Sequence, residues 1–190
     1  MKLGRVFTHA VLWLLVALMA APPWAFAQDT EGGPSAAFSR EQLEQILAPI
    51  ALYPDELIAQ ILMASTYPLE VVQADRWVRQ NNNLKGDALA DALEEQDWDP
   101  SVKSLENFPQ VLQMMSEKLD WTQKLGDAFL AQEKDVMDTV QVLRRKAEAA
   151  GNLNTTQEQK VIVEKETIII EPANPQVVYV PTYNPTVVYG

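Results

Sequence analysis

Apolar residues recur at helical spacing from Leu43 to about Ala150, and β-branched runs replace them beyond that point. Ser39 and Gln42 form an S-x-x-Q capping box, and Phe38 and Leu43 hold the positions of a hydrophobic staple. Leu43, Ile46, Leu47 and Ile50 then share one helical face. Pro54 starts a second helix, with Asp55 and Glu56 in its first turn, where carboxylates suit the dipole. Pro68 starts a third, carrying Leu69, Val71, Val72, Trp77 and Val78, and Asn81-Asn82-Asn83 ends it. Asp87 is expected to cap a short helix, and Asp99-Pro100 to cap and open another. Pro109 opens a longer helix through Val111, Leu112, Met115 and Leu119. Asp120 is expected to cap its continuation from Trp121 to Ala150, with Gly151-Asn152 as the stop.

Val161-Ile162-Val163 and Ile168-Ile169-Ile170 read as strands separated by Glu164-Lys165-Glu166. A repeat of period ten follows: Asn174-Pro175-Gln176-Val177-Val178-Tyr179, then Asn184-Pro185-Thr186-Val187-Val188-Tyr189. Each copy is expected to start with an Asn-Pro turn and run on as a short strand. Because proline cannot donate to a ladder, these would be edge strands or segments that pair with a partner. Gly190 comes straight after such a run, so either the chain continues in longer relatives or the tail docks on the helices.

The N-terminus has a different pattern. Lys2 and Arg5 precede an apolar run from Ala10 to Ala21, then Pro22-Pro23 and Ala25-Phe26-Ala27. This is the three-part plan of a secretory signal peptide over residues 1–27, with a polar spacer at 28–38. The apolar run is shorter than the roughly 20 residues of a membrane span. An uncleaved anchor is the competing reading, and would be the chain's one route to a membrane.

The only histidine, His9, lies inside this segment, and the chain has no cysteine. Residues 28–190 therefore lack the usual ligands of zinc, copper, haem and iron–sulfur clusters, and the histidine base of a catalytic triad. No metal or cofactor is expected. All 26 acidic residues but only 13 of the 15 basic ones lie beyond residue 27, which leaves that part at −13. Such a surface repels phosphate backbones, so nucleic acid is excluded as a partner.

Several strings carry a family resemblance. They are Leu47-Ala48-Pro49-Ile50-Ala51-Leu52-Tyr53-Pro54-Asp55, Met63-Ala64-Ser65-Thr66-Tyr67-Pro68-Leu69-Glu70, Gln96-Asp97-Trp98-Asp99-Pro100-Ser101-Val102-Lys103, Lys118-Leu119-Asp120-Trp121, Leu125-Gly126-Asp127-Ala128-Phe129 and Asn174-Pro175-Gln176-Val177-Val178-Tyr179-Val180-Pro181. The chain resembles, from about Phe38 to Gly190, the bacterial family catalogued as domain of unknown function thirty-three hundred. The resemblance implies an exported or membrane-associated protein and supplies no catalytic residues. It also implies that some members continue into a Trp/Tyr/Pro/Gly-rich segment.

Asp97-Trp98-Asp99-Pro100 is the most distinctive acidic motif. It could present a carboxylate pair beside an aromatic platform, but N-capping by Asp99 with Trp98 in the core explains the same residues. Glu70 could act as a general acid in a peptidoglycan hydrolase, yet it falls in the first turn after Pro68, an ordinary place for a carboxylate. Glu70, Asp97 and Asp99 are thus weak catalytic candidates. Tyr53-Pro54 and Tyr67-Pro68 echo each other, either as two helix starts stapled to one core or as a paired aromatic groove. Tyr53, Tyr67, Trp98, Tyr179 and Tyr189 are the candidate binding residues. Ser65, Ser101 and Ser116 have no histidine base.

The expected fold is mainly α: an irregular multi-helix bundle over 39–151, then a short β or extended module over 152–190. The expected function is that of an exported cell-envelope protein, in the periplasm or at the envelope, that binds or scaffolds an envelope protein or glycan. A carboxylate-dependent cell-wall hydrolase and a membrane-anchored envelope protein are the alternatives.

Overall fold

The structure, a computed structural model, describes residues 38–190. The signal peptide and nearly all of the expected spacer lie outside the described residues. Capping and proline placement set the order of the helices. Ser39 caps α1 (Arg40–Leu47): its side chain accepts from the Gln42 amide, while Gln42 bonds back to the Ser39 amide. Pro54 precedes α2 (Asp55–Ser65), and Pro68 is the first residue of α3 (Pro68–Gln80). Then come α4 (Asp87–Glu94), α5 (Pro100–Ser104), a 3₁₀ turn (Leu105–Asn107), α6 (Pro109–Glu117) and α7 (Leu119–Ala149).

Two caps differ from expectation. Gly86, at φ +58°, rather than Asp87 precedes α4, and Asp87 is its first residue. Lys118 alone separates α6 from α7, which leaves Asp120 in the first turn instead of at the cap. Both carboxylates still lie where the helix dipole favours them. The C-terminal stop holds. Gly151 adopts φ +76°, the Gly151 amide donates to the Glu148 carbonyl, and the Asn152 amide donates to the Ala147 carbonyl.

α7 buries Leu125, Ala128, Val136, Val140 and Leu143 against α1 and α2. α3 packs on α6, and Val102 of α5 joins the same core. Gly126 lets α7 approach the end of α2, since a Cβ there would stand 2.3 Å from the Ser65 carbonyl oxygen. Trp121 plugs the junction of α6 and α7, with Nε1–H donating to the Ile46 carbonyl at 2.8 Å. α7 kinks at Gln132 (φ −145°, ψ 47°), with neither proline nor glycine there. The Gln132 amide oxygen instead accepts from the Phe38 amide at 2.6 Å, which ties the start of the domain to the kink.

The expected hairpin forms from β1 (Gln159–Glu164) and β2 (Thr167–Pro172), antiparallel with Val161 opposite Ile170. Lys165, at φ +55°, makes the turn. Ile168 and Ile170 bury with Leu52, Ala147, Leu153 and Val188 in a second apolar cluster. The architecture is therefore mainly α, an irregular helical bundle followed by a two-stranded antiparallel sheet.

The repeat does not form the expected strands. Both copies open with the same Asx turn: Asn174 Oδ1 accepts from the Gln176 amide, and Asn184 Oδ1 from the Thr186 amide, each at 3.0 Å. The first copy makes one isolated bridge, Asn174 to Val177, and then runs extended without a ladder. The second copy closes into a short helix, α8 (Pro185–Val188), because the Asn184 carbonyl accepts from both Val187 and Val188. Packing decides between them. Val188 is buried in the second cluster, whereas its counterpart Val178 is only partly buried and packs on the main helical core instead.

Candidate functional site

The acidic and aromatic residues of the central motifs meet at the start of α3 and the start of α5. Glu70 Oε2 accepts from the Asp99 amide at 2.6 Å, which joins the two helix starts. Asp99 caps α5, its Oδ1 accepting from the Ser101 amide at 2.9 Å and from the Ser101 hydroxyl at 2.5 Å. These bonds from Ser101, helped by the Tyr67 hydroxyl, hold the Asp99 carboxyl below the usual range. The Asp99 carboxylate in turn pushes the Tyr67 phenol up. Trp98 packs partly against the core, edge-on to Trp77 at 6.0 Å between ring centroids, and donates from Nε1 to Gln73 Oε1 at 3.2 Å. Asp75, buried on the same helix, forms a two-pronged ion pair with Arg79 at 2.9 and 3.0 Å. Asp97 is exposed, and Tyr67 is the aromatic left open to solvent at this junction.

A second centre lies where the C-terminal tail docks, and its main component escaped sequence reasoning. Arg144 is 1 % exposed. Its Nε donates to the Ala51 carbonyl (2.9 Å), Nη1 to the Ile168 carbonyl (2.7 Å) and Nη2 to the Tyr53 carbonyl (3.0 Å). Nη1 also lies 2.5 Å from Asp55 Oδ1, on a half-exposed carboxylate. Burial pulls the arginine's pKa down, and Asp55 opposes that shift. The sequence signal was present: Arg144 stands four residues after Val140 and three before Ala147, within the apolar stripe of α7.

Three tyrosines cover this arginine. Tyr53 and Tyr183 meet edge-on at 6.3 Å, as do Tyr183 and Tyr189. The hydroxyls of Tyr183 and Tyr189 both donate to the Ala48 carbonyl, at 2.9 and 2.7 Å. Burial pushes all three phenols up, Tyr189 to about 12. The structure thus groups Tyr67 with Glu70, Trp98 and Asp99, and places Tyr53 and Tyr189 in the interior with Tyr183. Tyr179 belongs to neither group and is exposed on the extended run before Pro181.

Among the described residues, no three acidic side chains converge in a way that would hold a metal ion. No helix there is long and apolar enough to cross a membrane.

The family model described as "Protein of unknown function (DUF3300)" matches residues 39–190. An Escherichia coli (strain K12) protein, printed as "Uncharacterized protein YacH", is 46% identical over 206 aligned residues, covering 92% of this chain and 33% of that protein. The chain thus spans about a third of the length of that relative. No solved structure matches. With a family model matched over four-fifths of its length and this degree of identity to the relative, the chain belongs to the family of proteins of unknown function designated DUF3300.

Proposed function

We propose that the protein is exported to the cell envelope and acts there by binding or scaffolding an envelope protein or glycan, without catalysis. Export is supported by the sequence alone: Lys2 and Arg5, the apolar run Ala10–Ala21, and Ala25-Phe26-Ala27 before Gln28. The observation that carries the non-catalytic reading is the use made of the carboxylates. Glu70 is engaged by the Asp99 amide, and Asp99 caps a helix. A general acid needs a raised carboxyl pKa, whereas Asp99 is held low. Tyr67, exposed at this junction, offers an aromatic face on which a sugar ring can rest, and so supports a glycan among the possible ligands.

Two measurements test this. Mass spectrometry of the protein from its native host should find Gln28 as the first residue, and an intact Met1 would instead favour the anchored form. Purified protein incubated with peptidoglycan should release no soluble fragments while crosslinking in the envelope recovers a partner. Release that is abolished by Glu70→Gln or Asp97→Asn would replace the binding reading with a hydrolase.

A further inference from the structure

Among the described residues, side chains cover much of the hairpin's outer backbone edges. On β2 the outer edge is closed by α7 and α2: the Ile168 amide donates to Gln141 Oε1 at 2.8 Å, and its carbonyl accepts from Gln141 Nε2 and Arg144. The Ile170 amide reaches Asp55 Oδ1 at 3.3 Å. On β1 the Thr155 hydroxyl bonds both the amide and the carbonyl of Val161. Such covering blunts edge-to-edge pairing.

The extended run after the first repeat copy has no such cover. Among the described residues, the amides of Val178, Tyr179, Val180, Thr182 and Tyr183 donate to no protein acceptor, and no carbonyl from Val178 to Tyr183 accepts a bond. Val178 and Val180 pack partly on the core while Val177 and Tyr179 face solvent, the alternation of a strand. Its two edges differ. Pro181 removes the donor between Val180 and Thr182, whereas the alternation over Val177–Val180 sets the free amides and carbonyls of Val178 and Val180 on one edge, with the unpaired Thr182 amide just beyond the proline. Two cavities of about 470 and 510 Å³ border the run, so there is room beside it. Glu158 lines the first and Glu56 the second.

We propose that the run Val178–Thr182 is a docking edge to which an extended peptide, alternating apolar and basic side chains, adds as a β-strand. The main-chain groups supply the pairing, and Glu56 and Glu158 supply the preference for basic side chains. The net charge of −11 disfavours a second copy of this chain as occupant. This rests on the binding reading above and adds to the aromatic face at Tyr67 a separate surface for a peptide partner.

The test employs the full chain and a capped eight-residue peptide alternating valine with lysine and threonine, followed by fluorescence anisotropy. Saturable binding that weakens with salt is expected. Methylating one alternate set of peptide amides should abolish binding, and methylating the other should spare it. Thr182→Pro removes one exposed donor and should weaken binding about tenfold, while Thr182→Ala leaves it unchanged. Should Thr182→Pro fail to fold, the methylated peptides decide on the unaltered protein. Equal binding by both methylated peptides, or a Thr182→Pro protein that binds like the parent, overturns the proposal. So does a peptide that fails to bind while the chain dimerises through this run. Envelope crosslinks that survive Thr182→Pro would remove the edge and leave the binding function standing; soluble fragments released from peptidoglycan would do the reverse.

Discussion

Replacing Arg144 with methionine tests whether the buried guanidinium joins the tail to the helices. Methionine keeps much of the volume and removes every donor. The Ile168 carbonyl retains Gln141 as a partner, but the carbonyls of Ala51 and Tyr53 have no other donor among the described residues. An unpaired buried carbonyl costs about 1–3 kcal/mol, so the two together cost about 2–6 kcal/mol. Loss of the Asp55 contact adds little, because that carboxylate is 45% exposed and rehydrates. We expect a loss near 3 kcal/mol, a fall in Tm of roughly 6–12 °C for a domain of this size. Arg144→Lys should recover less than half of it, because one ammonium cannot reach carbonyls on three separate segments. Urea unfolding followed by circular dichroism measures all three proteins. Full recovery by lysine would show that a charge is enough, and a methionine variant within about 1 kcal/mol of the parent would show that the carbonyls find other donors.

Three further outcomes follow from the packing. Gly126→Ala should destabilise by about 1–3 kcal/mol in thermal unfolding, because its Cβ meets the Ser65 carbonyl; an ordinary mid-helix glycine would gain about 1 kcal/mol from the same change. Asp99→Ala should cost about 1 kcal/mol through loss of the α5 cap, measured by urea unfolding, and Glu70→Gln much less, since the amide oxygen can still accept from the Asp99 amide. The Tyr189 phenol is raised to about 12 in the folded protein against about 10 unfolded. Its contribution is therefore complete below pH 10 and is lost as the pH rises from there through 12. Tyr189→Phe should flatten that alkaline loss, as read from unfolding midpoints at successive pH values.

The family strings, most of the helix starts and the hairpin were legible in the sequence, for local reasons. The capping box at Ser39, the prolines at 54, 68, 100 and 109, and the Gly151 stop act within a few residues of themselves, so reading them needs no knowledge of the fold. The β-branched runs around 161 and 168 pair as neighbours across a tight turn. Asp99 as cap was visible for the same reason.

What the tertiary structure decided is whatever depends on residues distant in the chain. The two copies of Asn-Pro-x-Val-Val-Tyr share their local turn, so their sequence cannot say that one stays extended and the other coils; burial of Val188 and the reach of Tyr189 to Ala48 decide it. Arg144 looked like a polar interruption of an apolar stripe until Ala51, Tyr53 and Ile168 brought their carbonyls to it. Tyr53 and Tyr67 looked alike beside their prolines, yet one is interior and the other open, because only Tyr53 faces the returning tail. A buried polar group is stable only where distant backbone satisfies it, and periodicity does not record which backbone that is.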